Sequence, residues 1–268
     1  MRLLVRHATR YDYDAPQSWG LLQLRLRPKP HRHQRVIRWD LALEGARPEA
    51  SFEDQHRNAV DLVSLEPGAT RLSLVATGEV EVEDTAGVLG PHGGYCPLWL
   101  FERATPRTEA GEGCRALVEA VRGEERPLLR LHDLKHLVGE RVRWTEGATD
   151  AGTTAEEALG AGRGVCQDQA QVFIACARLM GTPARYVAGY LLRDGAPEGE
   201  AAHAWAEAWL PDLGWVGFDP ANGISPDARY VRVATGLDAA EAAPVSGARR
   251  GPPGGERLSV TVAVEEAQ

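Results

Sequence analysis

Cys166 is the residue whose type and position best suit nucleophilic chemistry. The segment GAGRGVCQDQAQVFIACARLMG places it in the first turn of a predicted amphipathic helix, directly after glycines that allow a sharp backbone turn. Unpaired N–H groups and the helix dipole favour an anion at this position, so we expect a stabilised thiolate there. Cys176 lies later in the same helix between alanines, and we interpret it as a small buried hydrophobic residue.

A thiol nucleophile needs a base within hydrogen-bond reach, and that base usually needs a third group that fixes its tautomer. Of the eight histidines, His203 is the best placed, because it heads the predicted strand HAWAEAWL with tryptophans on its face and alanines on the other. Asp219 ends the next predicted strand, in GWVGFDP. Neighbouring antiparallel strands can bring these two ends together, so the spacing favours a Cys166–His203–Asp219 triad. A core histidine and a turn aspartate are the alternative interpretation.

Alternation with a period of two predicts a β-rich module over residues 1–110. The pattern is clearest at residues 22–26 and 72–76, where leucine and alanine alternate with polar residues, and it resumes at 80–82 after Gly78. Turn residues separate these runs. We therefore expect an antiparallel N-terminal module.

From residue 111 the period becomes helical. One predicted helix opens at Pro127, another is capped by Thr154 with Glu157 three residues later, and the central one begins at Val165 or Cys166. After the central helix the period returns to two, with residues 239–256 expected to form an irregular loop. Together these patterns predict an α+β catalytic core over residues 111–268, in which a central helix packs on an antiparallel sheet.

The motifs resemble those of a known family. GVCQD, HAW and GWVGFDPANG, in this order and with 37 residues from Cys166 to His203 and 16 from His203 to Asp219, are similar to the catalytic segments of bacterial transglutaminase-like proteins, which comprise transglutaminase-like enzymes and cysteine proteases. RWTEGATDAGTTAEEAL, ARYVAGYL and APVSG also look like family segments, and RYDYDAPQ and RLRPKP resemble the β-rich N-terminal region of its bacterial members.

This resemblance implies a papain/transglutaminase-like core preceded by a β-rich N-terminal module. It also implies roles: Cys166 is the nucleophile, His203 the general base and acid, and Asp219 the group that orients the imidazole.

Three positions depart from the family pattern. Gln171 stands where many members have histidine, and Ala202 stands where a small polar residue is common. In the N-terminal module, DQHRN at 54–58 occupies the place of a D-x-x-G-N turn, so Arg57 replaces a glycine. None of these removes a triad member, but Gln171 and Ala202 lie near the predicted site and bear on its specificity.

The expected reaction is acyl transfer from an amide bond through a thioester. The backbone N–H of Cys166 is the first candidate donor of an oxyanion hole, and Gln167 and Trp144 are candidates for the second. Trp205 is expected beside the triad, and Asp168 is expected to cap backbone N–H groups at the start of the helix.

Hydrolysis, as in a protease or amidase, is expected ahead of transfer to an amine, as in a transglutaminase. Excluding water from a thioester requires a dry, closed site, and no lid segment is apparent. A catalytically idle binding or scaffold protein on the same fold is the alternative from another class.

Metal chemistry has little support in the sequence. The pattern HDLKH at 132–136 resembles the zinc-peptidase HExxH pattern only superficially, since Asp133 is shorter than the usual glutamate and no third ligand is evident. No EF-hand loop is present, so calcium dependence is not predicted. We expect neither a metal nor another cofactor.

Composition limits the partners. The chain has 268 residues, 43% of them hydrophobic and 25% charged, as in ordinary globular proteins, and its formal net charge of −8 disfavours nucleic acid. No apolar run is long enough to span a bilayer and no signal-peptide core is present at the N-terminus, while four cysteines without a CxxC pair suit a reducing compartment. We expect a cytoplasmic protein without a membrane partner, acting on a peptide or protein amide; the oligomeric state stays open.

Overall fold

A computed structural model describes residues 1–193 and 201–267 of the chain. The strands in these residues are β1 (Arg2–Gln17), β2 (Trp19–Leu24), β3 (Gln34–Glu44), β4 (Ala46–Glu53), β5 (Ala59–Leu65), β6 (Ala69–Val82), β7 (Val88–Gly90), β8 (Arg143–Trp144), β9 (Arg163–Gly164), β10 (Ala184–Leu191), β11 (Ala202–Leu210), β12 (Gly214–Phe218), β13 (Tyr230–Gly236), β14 (Val245–Arg250) and β15 (Glu256–Glu266). The α-helices are α1 (Glu112–Ala120), α2 (Pro127–Arg141), α3 (Ala155–Ala161) and α4 (Cys166–Leu179).

The N-terminal region consists of two four-stranded antiparallel sheets, with strand orders β15–β1–β6–β3 and β14–β2–β5–β4. The apolar residues of the alternating runs 22–26 and 72–76 are buried in one shared cluster. Because successive side chains of a strand point to opposite faces, the alternation predicted which face would be inside. The expectation of an antiparallel β-rich region is confirmed.

One detail of this region differs from the expectation. The alternating runs before and after Gly78 belong to a single strand, β6, instead of two. A Cβ atom at Gly78 would lie 2.4 Å from the ring of Trp39 on β3, so the glycine makes room for a cross-strand tryptophan and does not end the strand.

The core has a five-stranded antiparallel sheet with the order β13–β10–β11–β12–β7. Helix α4 packs on this sheet, and its apolar residues share one cluster with the alanines of β11. Those alanines, at 204, 206 and 208, are at most 2% exposed, and their small side chains allow close approach of the helix. The predicted α+β core with a central helix on an antiparallel sheet is therefore present.

The local signals for the helices are borne out. Pro127 opens α2, and Thr154 caps α3 with a complete capping box: its hydroxyl accepts from the Glu157 N–H at 3.3 Å, and the Glu157 carboxylate accepts from the Thr154 N–H at 2.9 Å. Helix α4 begins at Cys166, within the predicted start.

The expectation that α4 is amphipathic is wrong. Twelve of its residues are buried, among them the polar Asp168, Gln169 and Gln171. Because α4 lies between the sheet and the other helices, it has little solvent-facing surface, and its polar residues are held by hydrogen bonds instead of water.

The chain returns to the N-terminal sheets at its end. Residues 239–256, expected to be an irregular loop, contain β14, which pairs with β2, and the following β15 pairs with β1. In the other direction, β7 pairs with β12 of the core sheet. The division at residue 110 stays a prediction, and strands pair across it in both directions.

Candidate active site

Cys166 is the first residue of α4 and is 6% exposed. The carboxylate of Asp168 folds back over the start of the helix, where it accepts hydrogen bonds from the Val165 N–H at 2.8 Å and from the Thr149 hydroxyl at 2.6 Å. A Cβ at Gly164 would lie 2.7 Å from this carboxylate, so glycine is needed there. Asp168 thus makes the predicted capping contact and fixes the turn that presents the thiol.

His203 and Asp219 are held by adjacent strands. Antiparallel pairing of β11 with β12 sets Ala206 opposite Phe218, which brings the residue after β12 back toward the start of β11. His203 Nε2 lies 2.7 Å from Asp219 Oδ2, and the side chains of both residues are fully buried. The structure therefore brings together the predicted base and the predicted orienting group, as the spacing suggested.

Two further side chains hold Asp219. Its Oδ2 accepts hydrogen bonds from the Tyr230 hydroxyl at 2.7 Å and from Asn222 Nδ2 at 2.6 Å, while its Oδ1 accepts from the Ala221 N–H at 2.9 Å. Since every one of these groups donates to the carboxylate, they stabilise its anionic form.

The electrostatics couple all three predicted triad residues. Burial by itself lowers the pKa of His203, but hydrogen bonds to Asp219 and Cys166 and the charges of both raise the pKa to about 9. Burial raises the pKa of Asp219, yet the hydrogen bond and charge of His203 outweigh it and the net pKa lies below the usual range. The charges of Asp219 and Cys166 thus favour a protonated imidazole at neutral pH.

The other predicted site residues lie at different distances from this chemistry. Trp205 is buried and stacks on the His203 ring, with 6.3 Å between centroids and 25° between planes. Gln167 is exposed, and its Oε1 accepts from the Cys166 thiol at 3.2 Å. Trp144 is 53% exposed and reaches the region through the pairing of β8 with β9, opposite Gly164.

Arg193 contacts the triad from outside it. Its Nη2 lies 3.3 Å from His203 Nδ1, the ring nitrogen that Asp219 leaves free. The Nε of Arg193 is buried and has no hydrogen-bond partner among the described residues. The sequence carried no pattern that singled out this arginine.

A cleft of about 580 Å³ opens beside His203. Its walls come from the start of α4, from β10, from the segment 239–244 and from the N-terminal region, which contributes His7 and Arg25. His203, Gln167 and the neighbouring Val165 line it. A substrate chain in this cleft would reach both the predicted triad and the N-terminal sheets.

The three residues that depart from the family pattern can be located in the structure. Gln171 and Ala202 both line the cleft. Gln171 donates to the Thr153 carbonyl at 3.2 Å, and its own Oε1 is buried without a partner in the described part of the chain. Arg57 adopts a φ of 60°, the left-handed conformation that a glycine tolerates best.

Besides Arg193, two residues that hold Asp219 were missed at the sequence level. Asn222 had a weak signal, since DPANG places an amide three residues after Asp219, where a turn folds it back. Tyr230 had none, because it heads a strand whose alternation resembles that of any half-buried strand, and only the pairing of β13 with β10 brings it to the carboxylate.

Within 1–193 and 201–267, no group of three or more His, Cys, Asp or Glu side chains is arranged to hold a metal ion. The same residues include no helix with the length and apolarity needed to cross a bilayer.

Comparisons with known proteins identify two matching regions. Residues 115–220 match the transglutaminase-like superfamily core, and residues 3–81 match the bacterial transglutaminase-like N-terminal region. An uncharacterised protein of Mycobacterium tuberculosis is 30% identical over 272 residues, covering 92% of this chain and 87% of its own. A segment of 84 residues, 29% of this chain, is 36% identical to a protein-glutamine gamma-glutamyltransferase of Pseudomonas aeruginosa, of which it covers 12%.

Among solved structures, a candidate cysteine protease from Cytophaga hutchinsonii superposes with a TM-score of 0.79 at 19% identity, covering all of this chain and 92% of that one. This likeness confirms the predicted fold class, a papain/transglutaminase-like core with a β-rich N-terminal region. With both family regions present in order and a full-length relative at 30% identity, the chain belongs to the bacterial transglutaminase-like family.

Proposed function

We propose that this protein is a cysteine-dependent enzyme that transfers the acyl group of an amide, with Cys166, His203 and Asp219 as its catalytic triad. The observation that carries the proposal is the buried 2.7 Å contact between His203 and Asp219, on a histidine whose pKa also responds to Cys166. A core histidine would not need to face a carboxylate on one side and a helix-start thiol on the other.

The first half of the reaction forms a thioester. The Cys166 thiolate adds to the amide carbonyl carbon, and the carbonyl π electrons move to oxygen. Collapse of this intermediate breaks the C–N bond, and His203 gives its Nδ1 proton to the departing amine. Asp219, hydrogen-bonded to Nε2, leaves Nδ1 for the proton transfer and stabilises the imidazolium.

In the second half, an acceptor attacks the thioester carbonyl and gives its proton to His203; collapse of the intermediate breaks the C–S bond, releases the acyl product and restores the Cys166 thiolate. We propose water as the acceptor, which makes the enzyme a protease or amidase. A cleft of about 580 Å³ leaves room for water beside an acyl chain, since each liquid water occupies roughly 30 Å³. A transglutaminase reaction with an amine is the alternative, and the segment similar to a protein-glutamine gamma-glutamyltransferase favours it.

The expected substrate is a peptide or protein amide, bound along the cleft between α4, β10 and the N-terminal sheets. We also propose a cytoplasmic location, because all four cysteines are free thiols, as is usual in a reducing compartment.

The test is incubation with a glutamine-containing peptide, with and without a labelled primary amine, while ammonia release, peptide cleavage and label incorporation are followed. The Cys166→Ala variant should lose activity by roughly 10⁵-fold or more. The matched control is Cys176→Ala, which removes a buried thiol from the same helix and should retain activity.

Incorporation of the label would show that the enzyme is a transglutaminase and not a hydrolase. Turnover that survives in Cys166→Ala would overturn the mechanism. A folded wild-type protein with no turnover on any peptide amide would favour a catalytically idle scaffold.

A further inference from the structure

Tyr186 lies in the middle of the core sheet, close to Cys166. It belongs to β10, where it pairs with Ala206 on one side and Gly236 on the other. Its side chain is 3% exposed and packs in the same cluster as Cys166 and Ala170 at the start of α4. It also lines the cleft together with His203.

The hydroxyl of Tyr186 is the unpartnered one among three buried tyrosines of this sheet. The Tyr190 hydroxyl lies 2.9 Å from His7 Nδ1, and the Tyr230 hydroxyl donates to Asp219 at 2.7 Å. Within the described residues, the Tyr186 hydroxyl has no protein partner for a hydrogen bond, and its oxygen is not sealed from solvent, so it opens onto the cleft. Because Tyr186 borders the cleft, a bound ligand can supply that partner.

Burial and the negative charges nearby keep the Tyr186 hydroxyl protonated, so that it can donate a hydrogen bond. Burial raises the pKa of its hydroxyl well above the usual value, and the negative charges of Cys166 and Asp168 raise it further. The hydroxyl therefore stays protonated over the whole range in which a cysteine enzyme works. It can donate a hydrogen bond and does not act as a base.

We propose that the Tyr186 hydroxyl is the second donor of the oxyanion hole, opposite the backbone N–H of Cys166. This inference rests on the proposed function. When the C–S bond forms, the carbonyl π pair becomes a negative charge on oxygen, and a donor already fixed in a buried site stabilises it without reorganisation. The earlier candidates, Gln167 and Trp144, are both solvent-exposed, where water competes for the same hydrogen bond.

The first test is the Tyr186→Phe variant, which removes only the hydroxyl oxygen. We expect kcat for peptide amide turnover to fall by about 10²- to 10³-fold, the loss typical of one oxyanion donor, while KM changes little. Tyr13→Phe is the matched control, since Tyr13 is also buried, at 7% exposure, but lies in the N-terminal sheets; its kcat should equal that of wild type.

The second test separates transition-state stabilisation from positioning of the thiol. Iodoacetamide alkylates a thiolate by direct displacement and forms no oxyanion, so Cys166 should be alkylated at nearly the same rate in Tyr186→Phe and in wild type. A peptide aldehyde forms an oxyanion-like adduct with the thiol, so its affinity should fall by about the same factor as kcat.

A kcat within threefold of wild type, or a raised KM with unchanged kcat, would overturn the assignment of Tyr186. So would an alkylation rate that falls in parallel with kcat, because the hydroxyl would then act on the thiol itself. These outcomes differ from failure of the proposed function, which shows as turnover that persists in Cys166→Ala.

Discussion

Strand β11 carries two buried networks of charged side chains. Comparing them shows how a candidate catalytic pair differs from a structural ion pair. At one end, His203 is bonded to Asp219. Four residues along the same strand, Glu207 is fully buried between two arginines: Arg232 contacts its carboxylate at 2.6 and 3.0 Å, and Arg185 contacts it at 2.5 Å.

The two networks differ in what they leave available. Both oxygens of Glu207 accept from guanidinium groups, and the Arg185 guanidinium stacks over the Trp215 ring at 3.8 Å, so this network is closed. The His203 network leaves Nδ1 free of the carboxylate; Arg193 Nη2 lies 3.3 Å from this atom, and His203 lines the cleft. A buried ion pair can therefore take part in catalysis only where one of its members has a reactive atom that a substrate can reach.

Among changes to these two networks, the largest expected effect comes from Asp219→Asn. The neutral amide cannot stabilise the imidazolium or fix the ring tautomer as the carboxylate does, so kcat should fall by about 10⁴-fold, as for orienting groups of other triads. Steady-state kinetics on a peptide amide, with circular dichroism to confirm folding, checks this. A fall of less than tenfold would show that Asp219 only packs against the ring.

Glu207→Gln should act on stability instead. It leaves two buried guanidinium groups without a counter-charge, so the free energy of unfolding should fall by about 3–5 kcal/mol. Urea denaturation measures this change, and kcat per folded molecule should stay close to that of wild type. If kcat falls as far as in Asp219→Asn while stability holds, the contrast between the two networks is lost.

The two networks should lose their contributions to stability at opposite ends of the pH scale. The pKa of His203 is about 9, against an ordinary value of 6.5, so its network contributes stability that is complete below pH 6.5 and is lost as pH rises through 9. Burial raises the pKa of Glu207, but its two arginines lower it to about 2, so its contribution is complete above pH 4.5 and is lost as pH falls through 2.

Unfolding free energies measured from pH 2 to pH 10 check this contrast. Asp219→Asn should have a lower unfolding free energy than wild type, and this difference should shrink as pH rises from 6.5 to 9. The corresponding difference for Glu207→Gln should shrink on acidification below pH 4.5. Each unit of pKa difference corresponds to about 1.4 kcal/mol. If these differences in unfolding free energy stay constant with pH, the charges of neither pair contribute to stability.

The smallest effect belongs to Arg57, in the turn between β4 and β5. At φ 60° this residue is strained, so Arg57→Gly should raise the free energy of unfolding by about 1 kcal/mol and leave kcat unchanged. The ion pair it loses, 3.6 Å from Glu53, is half exposed and contributes little. Arg57→Ala is the control: it also removes the ion pair but keeps the strain, so it should not stabilise.

The sequence was most informative where a local rule applies. Alternation identified the buried face of the runs 22–26 and 72–76, and capping signals placed the starts of α3 and α4 within a residue. The order and spacing of Cys166, His203 and Asp219 were enough to nominate them as a site. In each case the signal lies within a few residues of the feature it describes.

Tertiary structure decided what depends on pairing between distant segments. Only strand pairing brings Tyr230 to Asp219 and places β14 and β15 in the N-terminal sheets. Only packing around α4 buries its polar residues, and only the hydrogen-bond partners of Tyr190 and Tyr230 distinguish their hydroxyls from that of Tyr186. Residue type and local spacing determined which groups could react, while contacts between residues far apart in the chain decided which of them face one another, because burial and partner choice are properties of the whole packed chain.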